Sequence, residues 1–216
     1  MTSFDDSAYK IAEFLLQIKA IKLSPEAPFT WASGRKSPIY CDNRKTLSYP
    51  QIRTYIRQEY VNTINKYFGK PDVIAGVATG GIAQGALIAQ EMGLPFVYIR
   101  SEAKKHGLTN MIEGVVEKGQ SVIVIEDLIS TGGSSLKAVD ALREVGCVVK
   151  GMVAIFTYGF DEAAANFKKS NLMVKTLTDY NVLIDEALKK NYITEKDVDS
   201  LQQWRKDPEN WNVVNN

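Results

Sequence analysis

The sequence has 216 residues, of which 45% are hydrophobic and 24% carry a charge. This length predicts one domain with a sizeable core, and the composition is ordinary for a folded globular protein. The formal net charge of +1 gives no indication of a nucleic-acid or membrane partner, and no apolar run approaches the roughly 20 residues of a membrane span.

Two features of the sequence indicate a cytoplasmic protein. The N-terminus, Met1–Asp6, lacks the basic and apolar regions of a signal peptide. Cys41 and Cys147 show no metal-ligand spacing, so we expect both to be reduced thiols.

The first predicted element is a helix over residues 5–20, in which apolar residues recur at helical spacing. In the next segment, Pro28–Arg44, prolines and a glycine break any helix, and Phe29–Trp31 and Ile39–Cys41 suit short strands. Its cations and aromatic rings favour a surface for a flat anionic ligand, because rings can stack and arginine presents a fork to a carboxylate or phosphate. Composition alone leaves a solvated hairpin as the alternative. A second helix is predicted over residues 50–68.

A parallel sheet is predicted to begin after that helix. Asp72–Val77 has the composition of a strand, and a glycine-rich turn, Ala78–Gly81, separates it from a helix over residues 82–92. A glycine pair at the end of a strand lets a ligand approach the backbone closely. Pro95–Ile99 is the next predicted strand, and the basic segment Arg100–Asn110 follows it. That segment is either a solvated loop or, because it directly follows a strand, a lid over the ligand.

The most informative stretch is Val122–Ser135. Val122–Ile125 predicts a short strand that is buried on both faces. Glu126 and Asp127 are expected to follow at its carboxyl end, where α/β sheets place their ligands.

The loop Leu128–Ser134 lies between these acids and a helix that the periodicity predicts from about Leu136 to Val145. The free N–H groups and the dipole of a helix start suit a phosphate. Ser134, not lysine, follows the second glycine, so the loop is not a P-loop, and it also lacks the G-x-G-x-x-G of dinucleotide sites. A phosphate beside two carboxylates indicates a phosphorylated sugar, whose hydroxyls the acids could bind, or an assisted Mg²⁺ site.

The rest of the sequence continues the alternation of strands and helices. The predicted elements are a strand over 148–158, a short helix from Asp161, a strand over 172–177, and helices over about 181–190 and 195–206. This alternation predicts an α/β fold with a mostly parallel central sheet flanked by helices, and the N-terminal stretch adds a small hood. We expect a single domain over residues 1–216, with the hood at about 1–45, the core at about 70–180 and C-terminal helices at about 181–206.

Four stretches resemble one known family. Val122–Ser134, V-I-V-I-E-D-L-I-S-T-G-G-S, resembles the 5-phosphoribosyl-1-pyrophosphate (PRPP) signature of the type I phosphoribosyltransferases, and Ala78–Gly81 resembles their pyrophosphate loop. Phe29–Tyr40, F-T-W-A-S-G-R-K-S-P-I-Y, and Arg100–Gly107, R-S-E-A-K-K-H-G, resemble the hood and the catalytic loop of orotate phosphoribosyltransferases. The resemblance implies the type I fold and transfer of the phosphoribosyl group of PRPP to orotate with Mg²⁺, in pyrimidine biosynthesis. It also implies a homodimer in which the catalytic loop is shared across the interface.

The resemblance further implies a set of site residues. The PRPP-binding residues implied are Arg100, Lys104, Lys105, His106, Glu126, Asp127, Leu128, Ile129, Ser130, Thr131, Gly132, Gly133, Ser134, Thr79 and Gly80. The catalytic residues implied are Asp127, Glu126, Lys104 and His106, where His106 is either an acid toward pyrophosphate or a hydrogen-bond donor. The residues expected at orotate are Ser130, Arg35, Lys36 and Tyr40. Mg²⁺ is expected to bind through PRPP, with Asp127 as the candidate protein ligand.

Three features depart from the enteric members of this family. Ala32 and Ser101 stand where those members have lysine, and Thr157–Tyr158 stands where they have Asp-Arg, whose arginine binds the orotate carboxylate. The segment Ile155–Tyr158 resembles the Bacillus-type branch. The carboxylate therefore needs another partner, and the candidates are Arg35, Lys36 and Arg44.

Two alternative functions share the PRPP signature. A transferase for a purine base or xanthine would lack the hood sequence Phe29–Tyr40. A non-catalytic regulator that senses PRPP while binding RNA or DNA would show a basic face or an added DNA-binding domain. The net charge of +1 and the complete lid sequence disfavour it.

Overall fold

Strands and helices alternate along the chain in the computed structural model, which describes residues 4–31, 34, 36–101 and 111–211. The described α-helices are α1 (Phe4–Gln17), α2 (Pro50–Tyr67), α3 (Gly80–Met92), α4 (Gly133–Glu144), α5 (Asp161–Lys169), α6 (Tyr180–Lys189) and α7 (Glu195–Lys206). The described strands are β1 (Ile21–Leu23), β2 (Phe29–Thr30), β3 (Lys36–Ser37), β4 (Ile39–Cys41), β5 (Val73–Val77), β6 (Phe96–Ile99), β7 (Ile112–Glu113), β8 (Ser121–Ile129), β9 (Val148–Thr157) and β10 (Val174–Asp179). A 3-10 helix spans Asn43–Ser48.

The main sheet has six strands in the order β10-β9-β8-β5-β6-β7. Every neighbouring pair is parallel except β6 and β7, which are antiparallel. The predicted α/β class with a mostly parallel central sheet is therefore confirmed. The short edge strand β7 was not predicted, because two residues carry no usable periodicity.

The hood consists of two small antiparallel pairs. β1 pairs with β4, and β2 pairs with β3. The predicted first helix ends earlier than residue 20, because Lys19 adopts a left-handed φ of 54° and the chain then forms β1 against β4. The predicted strands Phe29–Trp31 and Ile39–Cys41 correspond to β2 and β4.

The central strand β8 is longer than predicted. Val122, Ile123, Val124 and Ile125 are all fully buried, as expected for a strand covered on both faces. β8 nevertheless continues to Ile129, because β9 runs alongside it and pairs with it as far as Thr157. The expectation that Glu126 and Asp127 follow the strand was wrong, since both lie within its last residues.

Side chains of alternate strand residues form two cores, one on each face of the sheet. One core packs against α1, α2, α3, α6 and α7, and the other packs against α4 and α5. Among the described helices, none has both the length and the apolar composition that a membrane span requires. The sheet is thus held between two helical layers, and its carboxyl edge lies under the hood.

Candidate functional site

An acidic pocket lies where β5 ends and β8 continues. The last pairing of β8 with β5 joins Ile125 to Gly76, so the remainder of β8 borders an opening beside the turn after β5. The opening is a cavity of about 380 Å³. It is lined by Cys41, Asp42, Arg44, Ala78, Thr79, Gly80, Glu126, Asp127, Leu128 and Ser134. The structure therefore brings the predicted acids, the glycine-rich turn and Ser134 together.

Glu126 lies at the inner wall of this pocket and is only 5% exposed. Its carboxyl group accepts hydrogen bonds from Ser135 Oγ at 2.9 Å and from the backbone N–H of Asp127 at 3.0 Å. Burial, followed by the charge of Asp127, raises the pKa of Glu126 to about 8. Without a ligand, this acid is thus held largely protonated near neutral pH.

Asp127 closes the opposite side of the pocket against the turn after β5. Its carboxylate lies so close to Gly80 that a Cβ at position 80 would displace it, so glycine at this position allows the carboxylate to lie where it does. Burial raises the pKa of Asp127, while its hydrogen bond with Glu126 and the nearby Arg44 oppose the rise. A ligand cation or a divalent metal would stabilise the charged form of this buried carboxylate.

The backbone that carries the two acids is held from the hood and from α2. Tyr60 Oη donates to the carbonyl of Glu126 at 2.5 Å, and Asn43 Nδ2 donates to the carbonyl of Asp127 at 2.7 Å. Cys41 Sγ lies 3.3 Å from Asn43 Oδ1 and donates to it. Burial raises the pKa of the Cys41 thiol, which keeps it protonated as a donor. These bonds fix the position of the acids before any ligand binds.

The predicted phosphate loop contributes to several surfaces. Ser134 lines the acidic pocket, whereas Thr131 lines a different cavity of about 480 Å³ beside Arg205. The side chain of Ile129 is buried in the core, so only its backbone can serve a ligand. Gly132 has a φ of +81° and lies against Phe167, which makes glycine necessary immediately before α4. The helix itself begins at Gly133, earlier than the periodicity predicted.

A second, aromatic pocket adjoins the acidic one and has a volume of about 360 Å³. It is lined by Thr30, Trp31, Tyr40, Cys41, Leu128, Ser130 and Tyr158. Cys41 and Leu128 line both pockets, so the two cavities share a wall. A ligand that joins a phosphorylated sugar to a flat ring could therefore occupy both.

The walls of the aromatic pocket come from distant parts of the chain. The ring centroids of Trp31 and Tyr158 lie 5.5 Å apart, and Trp204 of α7 meets both rings edge-on, at 5.8 Å and 5.6 Å. Arg205 Nε and Nη2 donate to the carbonyls of Tyr158 and Gly159 at 3.3 Å and 3.2 Å. The C-terminal helix thus supports this pocket from behind.

Several predicted residues lie elsewhere. Lys36 Nζ donates to Thr30 Oγ1 at 2.7 Å and does not itself line the aromatic pocket within the described part of the chain. Arg44, a candidate for the orotate carboxylate, opens on the acidic pocket instead. Arg100 pairs with Glu113 at 3.6 Å, across the base of the β6–β7 hairpin, and is not among the described residues that line the acidic pocket. Four predicted residues lie outside the described residues: Arg35, Lys104, Lys105 and His106.

Other residues at the site were missed from the sequence. Ser135 adjoins the phosphate loop, and its position at a helix start was a usable signal. Trp31 and Tyr158 were noted as aromatic residues, but nothing local indicates that they face each other. Asn43 and Tyr60 carry no sequence signal for their bonds to β8, because both contacts span more than sixty positions.

Comparison with known proteins identifies the family. The phosphoribosyl transferase domain family matches residues 46–191. The orotate phosphoribosyltransferase of Porphyromonas gingivalis is 58% identical over 203 residues, which cover 94% of this chain and 97% of that protein. The chain belongs to the orotate phosphoribosyltransferase family.

Solved structures agree with this membership of the orotate phosphoribosyltransferase family. The structure of Leishmania donovani UMP synthase matches with a TM-score of 0.77 and 32% identity, over 93% of this chain and 43% of that longer one. The orotate phosphoribosyltransferase of Aeropyrum pernix matches with a TM-score of 0.72 and 25% identity, over 84% of this chain and 97% of that one. The predicted type I phosphoribosyltransferase fold is confirmed.

Proposed function

We propose that this protein transfers the 5-phosphoribosyl group of PRPP to orotate, which yields orotidine 5′-monophosphate and pyrophosphate, a step of pyrimidine biosynthesis. The observation that carries the proposal is the shared wall between the acidic and the aromatic pockets. A sugar phosphate in one pocket then places its anomeric carbon beside a flat base in the other. The family membership of the chain supports the same reaction.

The reaction is a displacement at the anomeric carbon of the ribose. The bond between this carbon and the pyrophosphate oxygen breaks, and the oxygen keeps the electron pair. A lone pair on a ring nitrogen of the orotate anion forms the new bond, so no strong general base is required. Positive charge develops on the ribose ring, and water would capture it. Catalysis therefore depends on positioning, on charge and on exclusion of water.

The 5′-phosphate is assigned to the loop Leu128–Ser134 in this proposal. The loop leads into α4, whose first N–H groups and positive dipole end favour an anion. Gly132, with its φ of +81°, permits the turn that presents these groups. Ser134 lines the acidic pocket and can donate a hydrogen bond.

Glu126 and Asp127 are assigned to the ribose in this proposal. Their carboxyl groups lie in the pocket where the vicinal hydroxyls would be, and they stabilise positive charge on the ring. Glu126 enters the site with a raised pKa, so a ligand that carries positive charge should release its proton.

Mg²⁺ is the expected cofactor, and the donor set fits a metal that arrives with the substrate. The described residues contain no cluster of three or more His, Cys, Asp or Glu side chains able to hold a metal alone. Mg²⁺ commonly binds through one or two carboxylates together with substrate phosphates. Asp127 and Asp42 line the acidic pocket and would hold it there. The chemistry that Mg²⁺ supplies when bound is neutralisation of the departing pyrophosphate.

Orotate is assigned to the aromatic pocket. Trp31, Tyr40 and Tyr158 offer ring faces and edges to a planar base, and the Ser130 hydroxyl can bond to its polar edge. Among the described cations, Lys36 is the best candidate for the orotate carboxylate, because its Nζ lies 2.7 Å from Thr30, which lines the pocket. Arg35 remains a further candidate from the resemblance alone.

The active form is proposed to be a homodimer in which the segment Arg100–Gly107 of one chain completes the site of its partner. The support is the family resemblance of this segment, together with the position of Arg100, which faces Glu113 and not the acidic pocket of its own chain.

Mixing inactive D127N with inactive K104Q tests whether the segment is shared between the two chains. If subunits exchange freely, heterodimers with one intact site should restore about one quarter of the wild-type activity. A mixture that stays inactive after verified exchange contradicts a shared loop.

The single experiment that tests the proposed function is a substrate panel. The protein is incubated with Mg²⁺, PRPP and each of orotate, uracil, adenine, hypoxanthine and xanthine, and nucleotide formation is followed. Orotate is expected to be the substrate that turns over fastest. Turnover of a purine without turnover of orotate would assign the protein to the purine transferases, and binding of PRPP with no turnover of any base would favour a regulator.

A further inference from the structure

The charges of the acidic pocket are unbalanced. Three carboxyl groups line it, those of Asp42, Glu126 and Asp127, and Arg44 is the one cation among its described lining residues. The turn after β5, which faces these carboxyls, contributes Ala78, Thr79 and Gly80, none of which carries a charge. A ligand with a pyrophosphate group would bring several negative charges into this pocket. Arg44 is therefore the cation that the described wall of this pocket itself offers to such a group.

Arg44 lies close enough to the acidic pocket, and its side chain is exposed enough, to contact a pyrophosphate group there. It lies in the first turn of the 3-10 helix that follows β4, and its side chain is 58% exposed. Nε donates to Asp42 Oδ1 at 2.7 Å, so the guanidinium is held at the rim of the pocket. Its pKa is raised mainly by this bond, and Asp127 adds to the effect, which reflects the proximity of the guanidinium to the inner acid.

We propose that Arg44 binds the pyrophosphate end of PRPP from within its own chain, exchanging its bond to Asp42 for bonds to phosphate oxygens. The inference rests on the proposed function and adds to it a residue that the resemblance did not assign to PRPP. The Arg44 side chain is 58% exposed and has room to turn away from Asp42, whose side chain is 18% exposed, and a partly exposed ion pair stabilises a protein only modestly. The gain is larger, because a guanidinium can bind phosphate oxygens through two parallel hydrogen bonds.

The geometry favours the pyrophosphate over the other anionic groups of the two substrates. The 5′-phosphate belongs at the start of α4, and Glu126 and Asp127 lie with the ribose. Arg44 shares its pocket with Thr79 and Gly80 of the turn after β5, the turn that resembles the pyrophosphate loop. The orotate carboxylate belongs in the aromatic pocket, whose described lining does not include Arg44.

The neighbouring residue offers a matched control. Lys45 carries the same charge one position further along the chain, but its Nζ donates to the carbonyl of Lys19 at 3.0 Å. Lys45 does not line the acidic pocket within the described part of the chain. The variants R44Q and K45Q therefore remove the same charge from neighbouring positions, of which only position 44 lines the pocket among the described residues.

The test measures binding of the two halves of PRPP separately. Titration calorimetry with Mg²⁺-pyrophosphate, with ribose 5-phosphate and with orotate is carried out on wild type, R44Q, R44K and K45Q. We expect R44Q to weaken pyrophosphate binding about 10- to 100-fold and ribose 5-phosphate binding less than about twofold. R44K should recover part of the loss, because it restores the charge without the fork. K45Q should match wild type, and in turnover R44Q should lower kcat/KM for PRPP with little change in KM for orotate.

Four results would overturn the inference. Wild-type pyrophosphate affinity in R44Q removes the proposed contact. Equal losses in R44Q and K45Q mean that only the general surface potential matters. A loss of orotate affinity without a loss of pyrophosphate affinity would assign Arg44 to the orotate carboxylate. If wild type binds neither pyrophosphate nor ribose 5-phosphate, the proposed function fails and the inference fails with it. The other results leave the proposed function intact, so the two failures can be distinguished. Thermal melting of each variant verifies that it is folded.

Discussion

The acidic and the aromatic pockets adjoin, yet they are built in different ways. The functional side chains of the acidic pocket come mainly from the segment Ala78–Gly80 after β5 and from Glu126–Ser134, which comprises the end of β8 and the loop before α4. Both segments lie within the residues that match the phosphoribosyl transferase domain. The aromatic pocket takes Thr30, Trp31, Tyr40 and Cys41 from the hood, which lies outside that match, as does the supporting helix α7.

This difference separates two tasks of the site. A strand end followed by a helix start presents acids and N–H groups to a sugar phosphate wherever the fold occurs, so that part can be common to a whole family. A flat base must be enclosed by rings, and rings from the hood, from the end of β9 and from α7 can be changed without altering the sheet. In the proposed reaction the acidic pocket serves PRPP and the aromatic pocket serves the base, and residues before the matched domain contribute to both.

The largest effect is expected from breaking the acidic pocket at Asp127. D127N keeps the shape of the side chain and removes its charge, so kcat/KM for PRPP should fall by at least about 100-fold. The unliganded protein should stay folded and be no less stable, because the cost of burying the Asp127 charge is removed. Steady-state kinetics and thermal melting test both points. Activity within a few-fold of wild type would remove the role assigned to this acid.

The second-largest effect is expected from W204L, which removes the ring that packs behind the aromatic pocket. Trp204 is fully buried against Trp31 and Tyr158, so its loss should cost about 3 kcal/mol of unfolding free energy and raise KM for orotate about 10-fold. KM for PRPP should change much less. Chemical denaturation and kinetics with each substrate varied in turn provide the measurement.

A matched control for W204L is W211L. Trp211 is also buried and donates from Nε1 to the carbonyl of Ser200 at 3.1 Å, but it does not line the aromatic pocket among the described residues. The variant W211L should lose stability without a selective rise in KM for orotate. The same rise in both variants would mean that general loosening, and not support of the pocket, governs base binding.

A pH dependence distinguishes the acidic pocket from the aromatic one. Glu126 has a pKa of about 8 in the folded protein and 4.5 as an ordinary glutamate, so the folded state keeps a proton that the unfolded state releases. Stability from this group is therefore complete below about pH 4.5 and is lost progressively as the pH rises to about 8.

E126Q should flatten this slope between about pH 5 and pH 8, because the amide does not titrate. Urea denaturation of the unliganded protein at several pH values in this window measures the slope. E117Q, at an exposed carboxyl, is the control and should leave the slope as in wild type. An unchanged slope in E126Q would contradict the protonated state inferred for this acid.

The smallest effects are expected from removing two buried hydrogen bonds that tyrosine hydroxyls donate, one near each pocket. Tyr60 Oη donates to the carbonyl of Glu126 at 2.5 Å, and Tyr180 Oη donates to the carbonyl of Leu201 in α7 at 2.9 Å. Y60F and Y180F should each lose about 1–2 kcal/mol of stability, because each leaves a buried carbonyl without this donor. Y60F should change the kinetic constants for PRPP by a few-fold, and Y180F should change those for orotate. Identical kinetic profiles would show that the two pockets are not independent.

The fold was predicted well where the pattern is local. The buried strand Val122–Ile125, helix α2 with Pro50 at its start, and the alternation of strands and helices all follow from periodicity and from turn residues. The extension of β8 through Glu126 and Asp127 was not predictable in this way, because pairing with β9 decides it. The short strands β1 and β7 likewise exist only through their partners, β4 and β6.

The residues of the candidate site also fall into a locally predictable group and a group that depends on long-range contacts. Sequence alone determined the acids, the glycine-rich turn and the phosphate loop, because a strand end, a turn and a helix start are adjacent in the chain and their chemistry can be inferred from consecutive residues. Only the tertiary structure decided that Trp31, Tyr158 and Trp204 form one wall, that Asn43 and Tyr60 hold the backbone of the acids, and that Arg44 opens on the acidic pocket. Those contacts join segments far apart in sequence, and packing of the hood and α7 on the sheet selects them without leaving any local pattern.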